Sequence, residues 1–221
     1  MGRNGQRGRG GVGGDLNNDR IEVLETVSIP WTGAIRRDYP GEVGDILRVV
    51  NEISRIYGRG VTDIQVSKIG RGGRNILAYY DSEGNVAVNE KYFNFQKMGE
   101  AMDRSVKAGF HPPIGNKTGM EAVIAHEMGH RITELAGQRA GYGNWALNKV
   151  AEEICAKAAR QLGYTSKAKM TDTISGYAKK NWSEAVAEAF GDVYCNGNGA
   201  KPASRAIVAR LNDYFNGRGI R

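Results

Sequence analysis

His126-Glu127-Met128-Gly129-His130 sets two of the chain's three histidines four residues apart. The segment lies in a run with apolar residues at Met120, Val123, Ile124, Met128, Ile132 and Leu135. This spacing predicts a helix from about Lys117 to Leu135. Residues four apart project from one helix face, one turn apart, so both imidazoles can reach one Zn²⁺ at about 2.0–2.1 Å. Glu127 directly follows the first histidine, where its carboxylate can receive a proton from a metal-activated water. A solvated helix face carrying a chance pair of histidines is the competing reading, and the concentration of histidine here argues against it. Gly129 costs roughly 1 kcal/mol relative to alanine inside a helix. Close approach of another backbone or helix is the expected compensation.

A metal held by His126 and His130 needs a further protein ligand and an open position. Residues 177–190, which read YAKKNWSEAVAEAF, supply candidates. Glu184, Glu188 and Asp192 follow one another at four-residue spacing and share one helix face, while Ala185, Val186, Ala189, Phe190 and Val193 form the packing side. Carboxylates stacked on one face repel each other unless a cation or donors stand opposite. Without the histidine pair, a solvated acidic face would explain the pattern equally well.

Helix-borne HEMGH, followed some fifty residues later by Y-x-x-x-N-x-x-E-x-x-A-E-A-F, resembles the catalytic domain of anthrax lethal factor. It is also similar to related metallopeptidase domains of bacteriophage particle proteins. The resemblance covers about residues 110–195 and is strongest over 126–130 and 177–190. It implies an α+β, zincin-like fold, a small twisted sheet packed on the HExxH helix with a C-terminal helical part. It also implies a zinc endopeptidase acting on a protein or peptide. By position, Glu184 corresponds to the third zinc ligand, Glu188 to the glutamate that supports a ligand histidine, and Tyr177 to the tyrosine facing the reacting carbonyl. A thermolysin-like register competes, with Glu188 as ligand and Asp192 behind it. Tyr177 and Asn181 match only in the first register, but one helix turn separates the two answers and both stay open at this point. In zincin folds substrate commonly lies along the edge strand before the HExxH helix, for which the candidate segment is Asn85 to Asn89.

Periodicity around the motif gives the same coarse class. Ile46, Leu47, Val49, Val50, Ile53 and Ile56 predict a helix with Asp45 as N-cap and Gly58 as stop. Val61 to Ile69, Ile76 to Tyr80, and Val86, Val88 and Tyr92 predict three strands. Residues 97–108 and the segments 147–162, 182–195 and 203–215 predict helices. A helix, a small sheet and then several helices is an α+β order. The expected organisation is a flexible Gly/Arg-rich tail over 1–20, an extended arm over 21–43, one domain over 44–216 and a basic tail over 217–221. His111 is read as a hydrogen-bonded structural histidine ahead of a cleft residue. Residues 71–74, RGGR, are read as a hairpin turn ahead of an anion clamp.

The net charge of +7 divides unevenly. Residues 1–14 hold three arginines and no acid, and residues 200–221 hold five basic residues against Asp213, which leaves 23 basic and 23 acidic residues between them. A neutral body with basic ends weighs against a broad nucleic-acid-binding face and confines such contact to the tails. No apolar run approaches the ~18 residues of a membrane span. No apolar segment follows the N-terminal arginines, so no secretory signal is expected. Two cysteines, Cys155 and Cys195, make neither a disulfide framework nor a cysteine zinc site. From the resemblance, virion or capsid proteins are expected partners, and the virion or host cytoplasm the expected location. A non-catalytic virion component keeping the fold, and an intracellular regulatory peptidase sharing the HExGH signature, are the rival functions.

Overall fold

The computed structural model describes residues 23–28, 33–58, 61, 63–70, 75–81, 83–143 and 147–221. The tail expected over 1–20 and the turn at 71–74 lie outside the described residues. The architecture is α+β. A four-stranded mixed sheet is built from β1 (Val23–Ser28), β2 (Ile64–Ile69), β3 (Ala78–Tyr80) and β4 (Val86–Asn89), in the order β1-β2-β4-β3. β1 pairs antiparallel with β2, β2 parallel with β4, and β3 antiparallel with β4. The helices are α1 (Gly33–Asp38), α2 (Pro40–Tyr57), α3 (Phe95–Lys107), α4 (Gly119–Arg139), α5 (Leu147–Gln161), α6 (Lys167–Thr171), α7 (Trp182–Asn196) and α8 (Pro202–Asn212).

Four expectations change. The parallel β2–β4 pairing puts β4 inside the sheet, so the segment Asn85 to Asn89 is no edge strand; among the described residues β3 is the outer strand on that side. Asp45 caps nothing, because α2 starts at Pro40. Proline suits a first helical turn, where its missing N–H would have no partner anyway. Asp45 sits inside the helix, where its carboxylate pairs with Arg48 and accepts from Thr118 Oγ1 at 2.7 Å. The region expected as an arm over 21–43 contributes β1, α1 and the first turn of α2, and Val43 belongs to the core. Tyr92 lies in a 3-10 turn after β4 and not in the strand.

The HExxH segment lies in α4, as its periodicity predicts. Thr118 and Glu121 close a capping box at its N-terminus, which satisfies two amide donors that helix geometry leaves without partners. α4 runs through the centre of the helical layer, packed between α2, α3, α5 and α7, with β3 alongside. Met120, Ile124, Met128 and Ile132 are fully buried. α4 and α7 come into close contact at Gly129: a Cβ there would stand 2.9 Å from Ala187 Cα and 3.0 Å from Phe190 Cβ. The glycine lets two backbones meet at a distance no other residue allows, and that contact sets the depth of α7 against α4. At the C-terminus the packed body extends past 216. Ile220 is buried, its N–H donates to Tyr57 Oη at 3.0 Å, and its carbonyl accepts from Asn212 Nδ2 at 3.1 Å. The segment expected as a basic tail over 217–221 is therefore tied to α2 and α8. Among the described residues no helix is long and apolar enough to cross a membrane.

Candidate metal centre

His126 and His130 face α7 from consecutive turns of α4, and Glu184 meets them from the first turn of α7. Asn181 fixes that turn: its side chain accepts from the Glu184 N–H at 2.8 Å, so the residue matched only by position in the sequence motif is the N-cap that sets the glutamate. Glu184 Oε2 stands 3.1 Å from His126 Nε2 and 3.2 Å from His130 Nε2. Ligands on a tetrahedral zinc at about 2.0–2.1 Å lie about 3.3 Å apart, so both separations suit a shared cation. Among the described residues, these three form the group of metal-ligating types whose donor atoms all lie within 4.8 Å of one another.

The opposite ring nitrogens are occupied in a way that leaves both Nε2 atoms aimed at that point. His130 Nδ1 stands 2.8 Å from Ser183 Oγ. His126 Nδ1 stands 2.9 Å from Glu188 Oε1, although it is buried without an aligned hydrogen bond. Glu188 Oε1 also takes His111 Nδ1 at 2.7 Å, and Oε2 accepts from Ser175 Oγ at 2.7 Å. With both oxygens engaged and turned to Nδ1 atoms, Glu188 supports imidazoles and does not join the Nε2 focus. Asp192 is engaged elsewhere, accepting from Asn196 Nδ2 at 2.9 Å and from the Lys201 N–H at 3.0 Å. The geometry thus gathers the residues of the Glu184 register and not those of the Glu188–Asp192 register.

Three buried carboxylates, Glu127, Glu184 and Glu188, surround these rings, and buried charge of one sign demands a counter-charge. Burial works against ionised Glu184, but His130 and His126 outweigh it and hold its carboxyl below the usual range. Burial opposes ionised Glu188 likewise, and its bond to His111 and the neighbouring His126 hold it at about 2. For His126 burial disfavours the cation, yet the carboxylates of Glu184 and Glu188 raise its pKa well above the ordinary value. The site therefore calls for a positive charge, either a proton on His126 or a metal ion, and the donor set of two imidazoles and one carboxylate fits zinc.

Glu127 lies outside the donor focus. Burial raises its pKa, His126 and His130 pull it back, Glu184 adds to the rise, and the Tyr80 backbone N–H donates to it. That bond joins the carboxylate to the outer edge of β3. Asn89 N–H donates to Leu77 carbonyl at 2.9 Å, so alternation along an antiparallel strand turns Leu77 and Tyr79 toward β4, and Ala78 and Tyr80 outward. Tyr177 opens a 3-10 turn just before α7, and its ring stands 5.8 Å from that of His126. Its backbone N–H donates to Phe110 carbonyl at 3.0 Å, next to a bond from Gly176 N–H to Gly109 carbonyl at 2.8 Å. These two bonds bring the loop carrying His111 against Tyr177, with ring centroids 5.1 Å apart.

His126, Glu127, Tyr177, Glu188 and His111 all line one cleft of about 1080 Å³, which continues between β3 and α3 along a mostly apolar wall that includes Ala78, Met102 and Val123. His111, read from sequence as a hydrogen-bonded histidine, does make that bond, to Glu188, and it also lines the cleft. Sequence reading missed Ser183 and Ser175, whose signal is slight: Ser183 adjoins Glu184 in the helix, while Ser175 is remote from Glu188 and meets it only through the turn before α7. Comparison with protein families, curated proteins and solved structures gives no match.

Proposed function

We propose that this chain is a zinc-dependent endopeptidase of zincin-like build, with His126, His130 and Glu184 as metal ligands and Glu127 as general base. The observation that carries the reading is the meeting of three donor atoms from two helices, two of the contacts at 3.1 and 3.2 Å, beside a buried glutamate in an open cleft. A zinc ion bound there supplies a Lewis acid that polarises a carbonyl and acidifies water. Glu127 takes the proton of the attacking water and delivers it to the leaving amine. The Tyr177 hydroxyl donates to the oxygen on which negative charge develops. Glu188 and Ser183 fix the ring orientation of His126 and His130. Substrate main chain lies along β3 and pairs with the outward groups of Ala78, the mode in which an extended peptide adds to a free sheet edge. Proteins or peptides are the substrate class that suits such an edge, and the virion or infected cell is the setting that goes with the resemblance to phage particle proteins.

The test is metal analysis of the purified protein beside Glu127→Gln, with both forms assayed on a broad peptide library. About one zinc per chain in both, with cleavage lost in Glu127→Gln, is the expected result. Zinc in both with no cleavage by either would turn the reading into a structural or binding role. Absence of zinc from the parent protein would overturn the site itself.

A further inference from the structure

The described residues hold one imidazole that the proposed mechanism does not use. His111 comes from the loop between α3 and α4, shortly before the helix that carries His126 and His130 and far in sequence from α7. Its Nδ1 stands 2.7 Å from Glu188 Oε1, and its side chain is 18% exposed. Nε2, across the ring, makes no hydrogen bond among the described residues and is not shut away from solvent. The residue lines the main cleft beside His126 and Tyr177, with ring centroids 6.1 Å and 5.1 Å away. An ionised carboxylate only accepts hydrogen bonds, so the Nδ1 facing Glu188 carries a proton. In the tautomer fixed this way the ring's lone pair lies on Nε2, the nitrogen that Glu188 does not engage.

The ring's place is fixed on two sides. Glu188, itself held by Ser175 Oγ at 2.7 Å, orients it from below. The backbone bonds from Gly176 and Tyr177 to Gly109 and Phe110 hold the loop. One carboxylate oxygen of Glu188 therefore faces two imidazoles, a metal-site histidine at 2.9 Å and His111 at 2.7 Å. A side chain pinned this way, with an unused acceptor in a cleft, is suited to reading a donor on a ligand. The donor that every peptide offers is its main-chain N–H.

We infer that His111 is a substrate-positioning residue whose Nε2 accepts a backbone N–H of the bound peptide. This rests on the peptidase reading, and it assigns to the substrate a second main-chain anchor in addition to the edge of β3. An extended peptide held at two points is fixed in depth as well as direction. Glu188 then links the two functions, because the carboxylate that orients His126 also orients the substrate contact.

The experiment uses the full chain loaded with zinc, a peptide selected from the library, and its derivatives N-methylated at one amide at a time. Binding is measured by fluorescence anisotropy in the cleavage-deficient Glu127→Gln background, with and without His111→Ala or His111→Phe. Both His111 variants should keep the parent's zinc content and weaken peptide binding by about 3- to 10-fold, the worth of one hydrogen bond. Methylation of one particular amide should weaken binding to the His111-containing protein and have no further effect in either variant. Unchanged binding in the His111 variants, or a methylation penalty that persists at every position, overturns the inference and leaves the peptidase reading standing. Failure of every peptide to bind the zinc-loaded protein that retains His111 overturns both. His111→Phe keeps an aromatic ring at the position, so misfolding in His111→Ala does not decide the outcome.

Discussion

Replacing Gly129 by alanine puts a methyl group between α4 and α7, and the structure gives the scale of the effect. The new Cβ would stand 2.9 Å from Ala187 Cα and 3.0 Å from Phe190 Cβ, against about 3.5–4.0 Å for unstrained carbon contacts. Ala187 offers backbone that cannot swing aside, so the helices must part by roughly 0.5–1 Å. Alanine gains about 1 kcal/mol in helix propensity, and overpacking costs about 1–3 kcal/mol. A backbone obstacle puts the cost near the upper figure, for a net loss of about 1–2 kcal/mol. Glu184 rides on α7, one turn before Glu188, so the parting also widens its 3.1 and 3.2 Å separations from the two histidines. Metal sites tolerate about 0.2 Å of such error, and zinc affinity should fall together with stability. The assay is denaturant unfolding in chelator beside a competitive zinc titration. Gly99→Ala is the control: a Cβ at this position in α3 meets nothing within 4 Å, and alanine there should add about 0.5–1 kcal/mol. Gly129→Ala as stable as the parent, with unchanged zinc affinity, would refute the reasoning.

Tyr177→Phe should lower kcat by about 100-fold, the scale of one lost oxyanion donor, while zinc content stays at the parent's value; loss of zinc would show that the residue acts on the site's structure. Tyr57→Phe leaves Asn212 Oδ1 and the Ile220 N–H without the hydroxyl that joins them at 2.7 and 3.0 Å. It should cost about 1–3 kcal/mol in thermal unfolding and speed proteolysis at the C-terminus. Burial pushes the Cys155 and Cys195 thiols up to about 12. Only about 1 in 10⁴ of each is thiolate at pH 8, so a thiol reagent should label neither in the native protein and both after unfolding.

The sequence made the parts of the site legible where local periodicity governs. The α4 pattern, the approach of a second helix at Gly129 and the shared face of Glu184 and Glu188 all follow from residues three and four apart. The choice between those two glutamates was not legible, because it depends on how deeply α7 sits against α4, and that is set by a contact between distant segments. The outer strand was misread for a similar reason. β4 follows β3 in sequence, yet its parallel pairing with β2 places it inside, and alternation within a short strand says nothing about its neighbours. The partner of His111 was not legible, because two backbone bonds between loops, at 109–110 and 176–177, carry it to Glu188. No pattern along the chain marks that encounter.

Zinc affinity measured by competitive titration of the parent, Glu184→Ala and Glu188→Ala tests the central claim most directly. About one zinc should bind per parent chain, with a fall in affinity of about 10- to 100-fold in Glu188→Ala as an orienting group is lost, and a larger fall in Glu184→Ala. No zinc bound by the parent, or a greater loss in Glu188→Ala than in Glu184→Ala, would contradict it.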